Sequence, residues 1–289
     1  MSARHGVAVI GLGNWGTSLA AALDAAGLLA ERVHAQRRSS GARRPLPKLD
    51  ARVLWLCVPD AAIASAAEWI VGERRHLQGK DLRGQVVLHS SGALDRGALA
   101  AAERAGAQTA SLHPMMSFPT RRVVALRGTR FGVEAAEAQT RRELFALVRR
   151  LGGRPFAIDG RGKAMYHAGA MFGSPLLVAT LAAGVRAMGE TGIAEKEALA
   201  LLGPMAARTV ANVEKLGLAR SFSGPLARGD AATVKLHREA LAGHPLVAHV
   251  YDALARLAAV DLPSADRRAI QAALHADSVD NRSKHVKRH

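Results

Sequence analysis

Val7-Ala8-Val9-Ile10-Gly11-Leu12-Gly13-Asn14-Trp15-Gly16 is the stretch that decides the fold. The apolar run Val7 to Ile10 reads as a short buried strand, and the Ala- and Leu-rich segment Thr17 to Ala26 as a helix. Between them Gly11, Gly13 and Gly16 stand at the spacing G-x-G-x-x-G. The first glycine permits a tight turn, the second lets backbone approach a pyrophosphate, and the third lets helix and strand pack closely. The helix N-terminus then turns free N–H groups and the positive end of its dipole toward negative charge. Asn14 and Trp15 fall inside this turn and count with the glycines as dinucleotide contacts.

Working outward, strand-like and helix-like segments alternate as in a parallel sheet with helices on both faces. Strands are expected at Arg32 to Ala35, Val53 to Val58, Gln85 to His89, around Ala110 to Leu112, at Arg130 to Val133 and at Pro155 to Ile158. Helices are expected at Ala61 to Val71, Asp95 to Ala105 and Glu137 to Leu151. Beyond Asp159 strand signals stop, and Lys163 to Gly189, Glu195 to Leu216, Asp230 to Ala242 and Pro245 to Val260 read as helices. The expectation is an α/β chain: an N-terminal Rossmann dinucleotide-binding domain over 1–160, an all-α domain over 161–277 and a basic, disordered tail over 278–289. A cleft between two such domains is where ligands tend to bind.

The segment after the second strand chooses between the two nicotinamide dinucleotides. An NAD enzyme usually carries Asp or Glu there, whereas this chain reads Gln36-Arg37-Arg38-Ser39-Ser40. Guanidiniums of Arg37 and Arg38 suit a 2′-phosphate, with Ser39 adding a hydroxyl, so NADP(H) is the expected cofactor. Val58 and Pro59 leave a strand where such a site opens, as do Ser90 and Ser91 in His89-Ser90-Ser91-Gly92. For the serines, a helix cap is the competing reading.

Ser111-Leu112-His113-Pro114-Met115-Met116-Ser117-Phe118-Pro119 cannot be regular helix. It is expected as an ordered loop presenting His113 and Ser117 to the cleft, although His113 equally suits a structural role. Lys163 and His167, four apart, share a helix face. Either could donate a proton to a carbonyl under reduction, lysine as a cation facing the alkoxide and histidine through its near-neutral pKa. Arg228 suits a substrate carboxylate, Asp230 either a substrate contact or a helix cap, and Asn212 is a further substrate-contact candidate.

Composition narrows the alternatives. At 289 residues and 49% hydrophobic, the chain can bury two ordinary cores. No uninterrupted apolar run nears the roughly 20 residues of a membrane helix, and the first strand leaves no room for a signal segment, so a cytoplasmic protein with no membrane partner is expected. A single cysteine, Cys57, excludes disulfides and cysteine-rich metal sites, and no metal is expected. The net charge of +16 raises nucleic acid, but the arginines are dispersed and aromatics make up 4%, so small anionic substrates are the better match.

These motifs carry a resemblance. The sequence resembles bacterial proteins that join a Rossmann-like domain to a DUF2520 domain. The likeness rests on Gly11 to Gly16, His89 to Gly92, Ser111 to Phe118, Tyr166-His167-Ala168 and Gly224 to Asp230. The resemblance implies kinship with 6-phosphogluconate dehydrogenase, ketopantoate reductase and pyrroline-carboxylate reductase. It thereby implies a 6-phosphogluconate dehydrogenase C-terminal-like helical domain that dimerises and completes the active site. The activity it implies is NADPH-dependent reduction of a small carbonyl, a 2-oxo acid such as ketopantoate. An imine of the pyrroline-carboxylate kind is the close variant, and a non-catalytic NADP-binding sensor or scaffold is the alternative. One departure is Ser174-Pro175, where the family pattern has Ser-Asn.

Overall fold

A computed structural model describes residues 6–33, 49–79 and 81–275. The expectations on Arg37, Arg38, Ser39 and the basic tail lie outside the described residues. The chain divides into two compact units, one running to Ser174 and the other from Pro175.

The first unit is built on a sheet of seven strands: β1 (Val7–Ile10), β2 (Leu29–Val33), β3 (Val53–Leu56), β4 (Val86–His89), β5 (Gln108–Pro114), β6 (Arg130–Ala135) and β7 (Arg154–Ala157). Their order is β2-β1-β3-β4-β5-β6-β7. The helices of this unit are α1 (Asn14–Ala25), α2 (Ile63–Gln78), α3 (Ala100–Arg104), α4 (Ala138–Arg150) and α5 (Lys163–Phe172). Strand alternation sends side chains to two cores. Val9, Trp55, Leu88, Leu112 and Phe131 pack with Leu19 and Leu23 of α1 and Leu144 of α4. Ile10, Leu54, Leu56 and Val87 pack on the opposite face with Ile63, Ala67 and Ile70 of α2.

Several expectations are corrected. The sheet is not wholly parallel: β5 and β6 pair antiparallel. A parallel return needs a crossover element, usually a helix, and the segment between these strands contains none. Strand β2 begins at Leu29 rather than Arg32, because α1 closes on a turn at Gly27 (φ 65°) and Leu28 already pairs with Val7. His113 lies within β5, opposite Gly132, rather than in a loop; the returning β6 holds it in the sheet.

The helix expected over Lys163 to Gly189 is two helices. Pro175 lacks an N–H and disfavours helical backbone at the residue before it, so α5 ends at Phe172. The unit boundary falls there and not at 160, because α5 is anchored to the sheet by its buried first residue, Lys163.

The second unit contains α6 (Pro175–Gly189), α7 (Glu195–Leu216), α8 (Leu218–Ser221), α9 (Pro225–Arg228), α10 (Ala231–Leu241), α11 (Pro245–Asp261) and α12 (Arg267–His275). Its core includes Val234, Ala255, Ala259, Ile270 and Leu274. Taken together across the break at Ser174, residues 160–189 are by length and composition alone apolar enough to cross a membrane, although Arg161, Lys163, His167 and Arg186 interrupt the apolar run.

Candidate functional site

The strand order reverses between β1 and β3, and ligands of open α/β sheets bind at the carboxyl ends of strands at such a reversal. Gly11 leaves β1 with φ 98°, and a Cβ there would lie 2.6 Å from the Cys57 carbonyl oxygen. At Gly16 a Cβ would meet the Gly11 carbonyl oxygen at 1.9 Å, so helix and turn come this close only because residue 16 is glycine. Gly13, in contrast, faces open space. It precedes α1, whose first turn has no side-chain cap, leaving its N–H groups to an acceptor from outside the helix. A cavity of about 390 Å³ opens here, bounded by Gly13, Asn14 and Trp15, by Val58, Pro59 and Asp60, and by Ser90, Ser91 and His113.

Asn14 Nδ2 donates to the Phe118 carbonyl at 2.8 Å, tying the glycine turn to the segment after β5. Ser90 Oγ accepts from both Trp15 Nε1 and Trp55 Nε1, each at 2.7 Å, which commits this hydroxyl to the core on the α1 face. Ser91 Oγ donates to Asp60 at 2.7 Å and accepts from the Ala93 and Leu94 N–H groups. Both readings of the serines thus have substance: the pair caps a turn, and it lines the pocket.

On the opposite face of the sheet runs a polar row. His89 pairs in register with Ser111, and Ser111 with Glu134, so the three share a face. Lys163 of α5 reaches into this row and is 1% exposed. Its Nζ donates to the Ser91 carbonyl at 2.8 Å and to Ser111 Oγ. Burial lowers its pKa to about 8 against the opposing pull of Glu134, Asp60 and Asp95. Glu134, 8% exposed, has its pKa raised by burial, which the Lys163 charge and the Arg96 N–H offset in part.

His89 accepts from the Ser91 N–H at Nδ1 (3.1 Å), so its proton sits on Nε2, 2.9 Å from the Asp95 carbonyl. Burial holds its pKa down to about 4. His113 is likewise lowered to about 4, by burial first and then by His167 and Lys163. Its Nδ1 lies 2.9 Å from the Tyr166 hydroxyl, and its ring packs edge-on against His167. Burial pushes Tyr166 up to about 12, so this phenol keeps its proton. Gly92 makes room for both histidines: a Cβ there would lie 2.3 Å from His167 Nδ1 and 2.9 Å from His113 Nε2.

Of the residues expected to donate a proton, His113 reaches the pocket, His167 stands behind it, and Lys163 is locked beneath the Ser91 loop. Ser117 is exposed. Asn212, Arg228 and Asp230 belong to the second unit, where Asp230 caps α10 by accepting from Thr233 N at 3.0 Å. Asp60, Ser111, Glu134 and Tyr166 have no site role in the sequence reading. Ser111 and Glu134 could have been found by noting polar residues alternating with core positions in otherwise apolar strands.

A DUF2520 domain, described as a domain of unknown function, is found at residues 129–258. No curated protein matches the sequence. Among solved structures, a Bacteroides fragilis protein provisionally described as an NADP oxidoreductase is 20% identical with a TM-score of 0.67, over 88% of this chain and 97% of that one. A reductive aminase from Aspergillus terreus in complex with NADPH is 15% identical with a TM-score of 0.62, over 88% and 93%. Plasmodium falciparum pyrroline carboxylate reductase with NADP bound is 12% identical with a TM-score of 0.56, over 88% and 97%. At these identities the likeness shows the fold, a Rossmann-type sheet unit followed by a helical one.

Proposed function

We propose that the chain is an NADP(H)-dependent reductase that delivers hydride to a small imine or carbonyl carbon. The observation that carries this reading is the glycine turn at the strand-order reversal, opening onto a pocket walled by His113. Open space at Gly13 and an uncapped α1 N-terminus fit a pyrophosphate. Arg37, Arg38 and Ser39, with no acid beside them, fit a 2′-phosphate. When bound, the dinucleotide supplies the hydride, and the chain supplies position, charge and a proton.

His113 is the residue assigned to the substrate heteroatom. Its Nδ1 takes the Tyr166 hydroxyl proton in preference to the weaker Met115 sulfur, which leaves Nε2 to carry the ring proton toward the Gly92 loop. Negative charge from cofactor and substrate raises the imidazole pKa and favours the donating imidazolium. Lys163 acts at one remove, holding the Ser91 carbonyl. The kinship of fold with a reductive aminase and a pyrroline carboxylate reductase favours an imine over ketopantoate.

The helical unit is read as a homodimer surface. Its Val178, Met205, Leu218, Leu236 and Leu246 are exposed, and pairing with a second helical unit would give such side chains apolar partners. The same pairing would cover the apolar helix at 175–189 without a membrane.

The test is titration with NADPH and NADH, followed by NADPH oxidation in the presence of cyclic imines, amine–ketone pairs and 2-oxo acids including ketopantoate. NADPH binding about tenfold or more tighter than NADH, with turnover on one class, is expected. Selective binding without turnover on any would favour a sensor, and equal binding would remove the role given to Arg37 and Arg38.

A further inference from the structure

Beyond His113 the sheet carries positive charge that no acid among the described residues neutralises. Arg130 on β6 and Arg154 on β7 are register partners, an arrangement of like charges that costs stability. Among the described residues, neither of them, nor Arg127 in the loop before β6, has a carboxylate within ion-pair distance. Elsewhere in the unit Arg52, Arg74 and Arg96 are paired with acids.

The location matters. Phe131 and Val133 point into the α1–α4 core, so Arg130 and Gly132 present the other face, which is the face of His113. The Met115 N–H donates to the Arg130 carbonyl at 2.9 Å, which places this pair one step beyond His113 and Gly132, about 7 Å along the strands. Arg127 and Arg130 flank a cavity of about 490 Å³ floored by Met115, Met116 and Phe156. Met116 also lines the dinucleotide pocket, so the two cavities share a wall. The Met115 sulfur lies 2.7 Å from the Tyr166 hydroxyl oxygen, and the two methionines, Met115 and Met116, are 40% and 38% exposed. Such thioethers form an adaptable apolar floor.

We propose that this cavity holds the carboxylate-bearing end of the substrate. Arg130 and Arg127 clamp the carboxylate, Met115, Met116 and Phe156 cover the apolar body, and the reducible carbon lies across Met116 at His113. The assignment rests on the reductase reading and gives it a substrate class, a small carboxylic acid with a compact apolar body. A phosphate of the dinucleotide offers the same anionic chemistry, so the experiment separates the two sources.

The experiment is calorimetric titration of the full chain, with and without NADPH, using pyrrole-2-carboxylate and its neutral counterpart pyrrole, on wild type, Arg130→Gln and Arg104→Gln. Arg104 is an exposed arginine on α3, and its substitution controls for overall charge. Loss of a charge-assisted carboxylate contact is expected to weaken pyrrole-2-carboxylate about tenfold to a hundredfold in Arg130→Gln alone, with pyrrole and NADPH affinities unchanged. Equal binding by wild type and Arg130→Gln, or no binding of the acid by wild type, overturns the proposal. A loss confined to NADPH also overturns it and assigns the arginines to the cofactor. Acid binding that depends on Arg130 without turnover of any imine or carbonyl would leave the site standing and remove the reductase reading.

Discussion

Lys163→Met exchanges a buried ammonium for an apolar side chain of similar length, and its effect on stability is governed by pH. Burial lowers the lysine pKa from 10.5 to about 8. At 1.36 kcal/mol per pKa unit, keeping the protonated form in the fold costs about 3 kcal/mol. The folded pKa lies below the unfolded one, so from about pH 8 to 10.5 the unfolded chain holds a proton that the folded chain has released. Stability attributable to this residue therefore rises with pH across that window. Between about pH 7 and 9.5 the gain is about 2 kcal/mol. Methionine has no proton to lose, so the unfolding free energy of wild type minus that of the variant should become more positive by this amount, while groups common to both cancel. Urea denaturation followed by tryptophan fluorescence reads the right part of the molecule, because Trp15, Trp55 and Trp69 all lie in the first unit. A difference that stays flat or falls as pH rises would refute the reasoning, since it would mean that Glu134, Asp60 and Asp95 outweigh burial at the ammonium.

Gly13→Ala and Gly16→Ala should separate binding from folding. A methyl at Gly13 meets nothing within 4 Å, so Tm should hold while NADPH affinity drops about tenfold or more; a methyl at Gly16 lands on the Gly11 carbonyl and should cost about 1–3 kcal/mol of stability. Equal melting temperatures for the two variants would contradict this. Ser90→Ala strands two indole N–H donors and should lower the unfolding free energy by about 2–4 kcal/mol in urea titrations, with a change under about 0.5 kcal/mol counting against the shared acceptor. His89 and His113 should remain neutral at about pH 5.5 by imidazole NMR. Because their folded pKa values are depressed to about 4, they contribute a loss of stability as pH falls from 6.5 toward 4, and imidazolium signals at about pH 5.5 would exclude their burial.

The parts of the fold that were legible in the sequence are those set by local chemistry. The glycine spacing after Ile10 and the apolar period of Glu195 to Leu216 each determine structure without reference to distant residues, and both appear where expected. What the sequence hid depends on partners far along the chain. His113 looked like part of a loop because Pro114 follows it, yet β6, reached only after a long connection, keeps it in the sheet. Lys163 reads in the sequence as a proton donor at a helix start, and only the tertiary fold lays it against Ser91 and Ser111. Glu134 is separated from Ser111 by more than twenty positions in sequence, and the antiparallel register alone makes them neighbours. The arginines of β6 and β7 gave no local signal either, since their meaning lies in having no acid partner among the described residues.

The end of β4 explains why core and site cannot be varied independently. Successive residues of a strand point to opposite faces. Leu88 enters the α1-side core, and Ser90, two positions on, follows it to accept from Trp15 and Trp55. His89 takes the other face with Ser111 and Glu134, and Ser91 turns toward Asp60 while offering its carbonyl to Lys163. A single short segment thus fixes the indole of the dinucleotide turn on one side and the buried lysine on the other. Displacing the strand along its axis would misplace both at once, and a one-residue slip would exchange the two faces and bury Ser90 against charge and His89 against tryptophan. The polar row costs stability through its buried lysine, and the tryptophan pair anchored on Ser90 holds in register the strand from which that row projects.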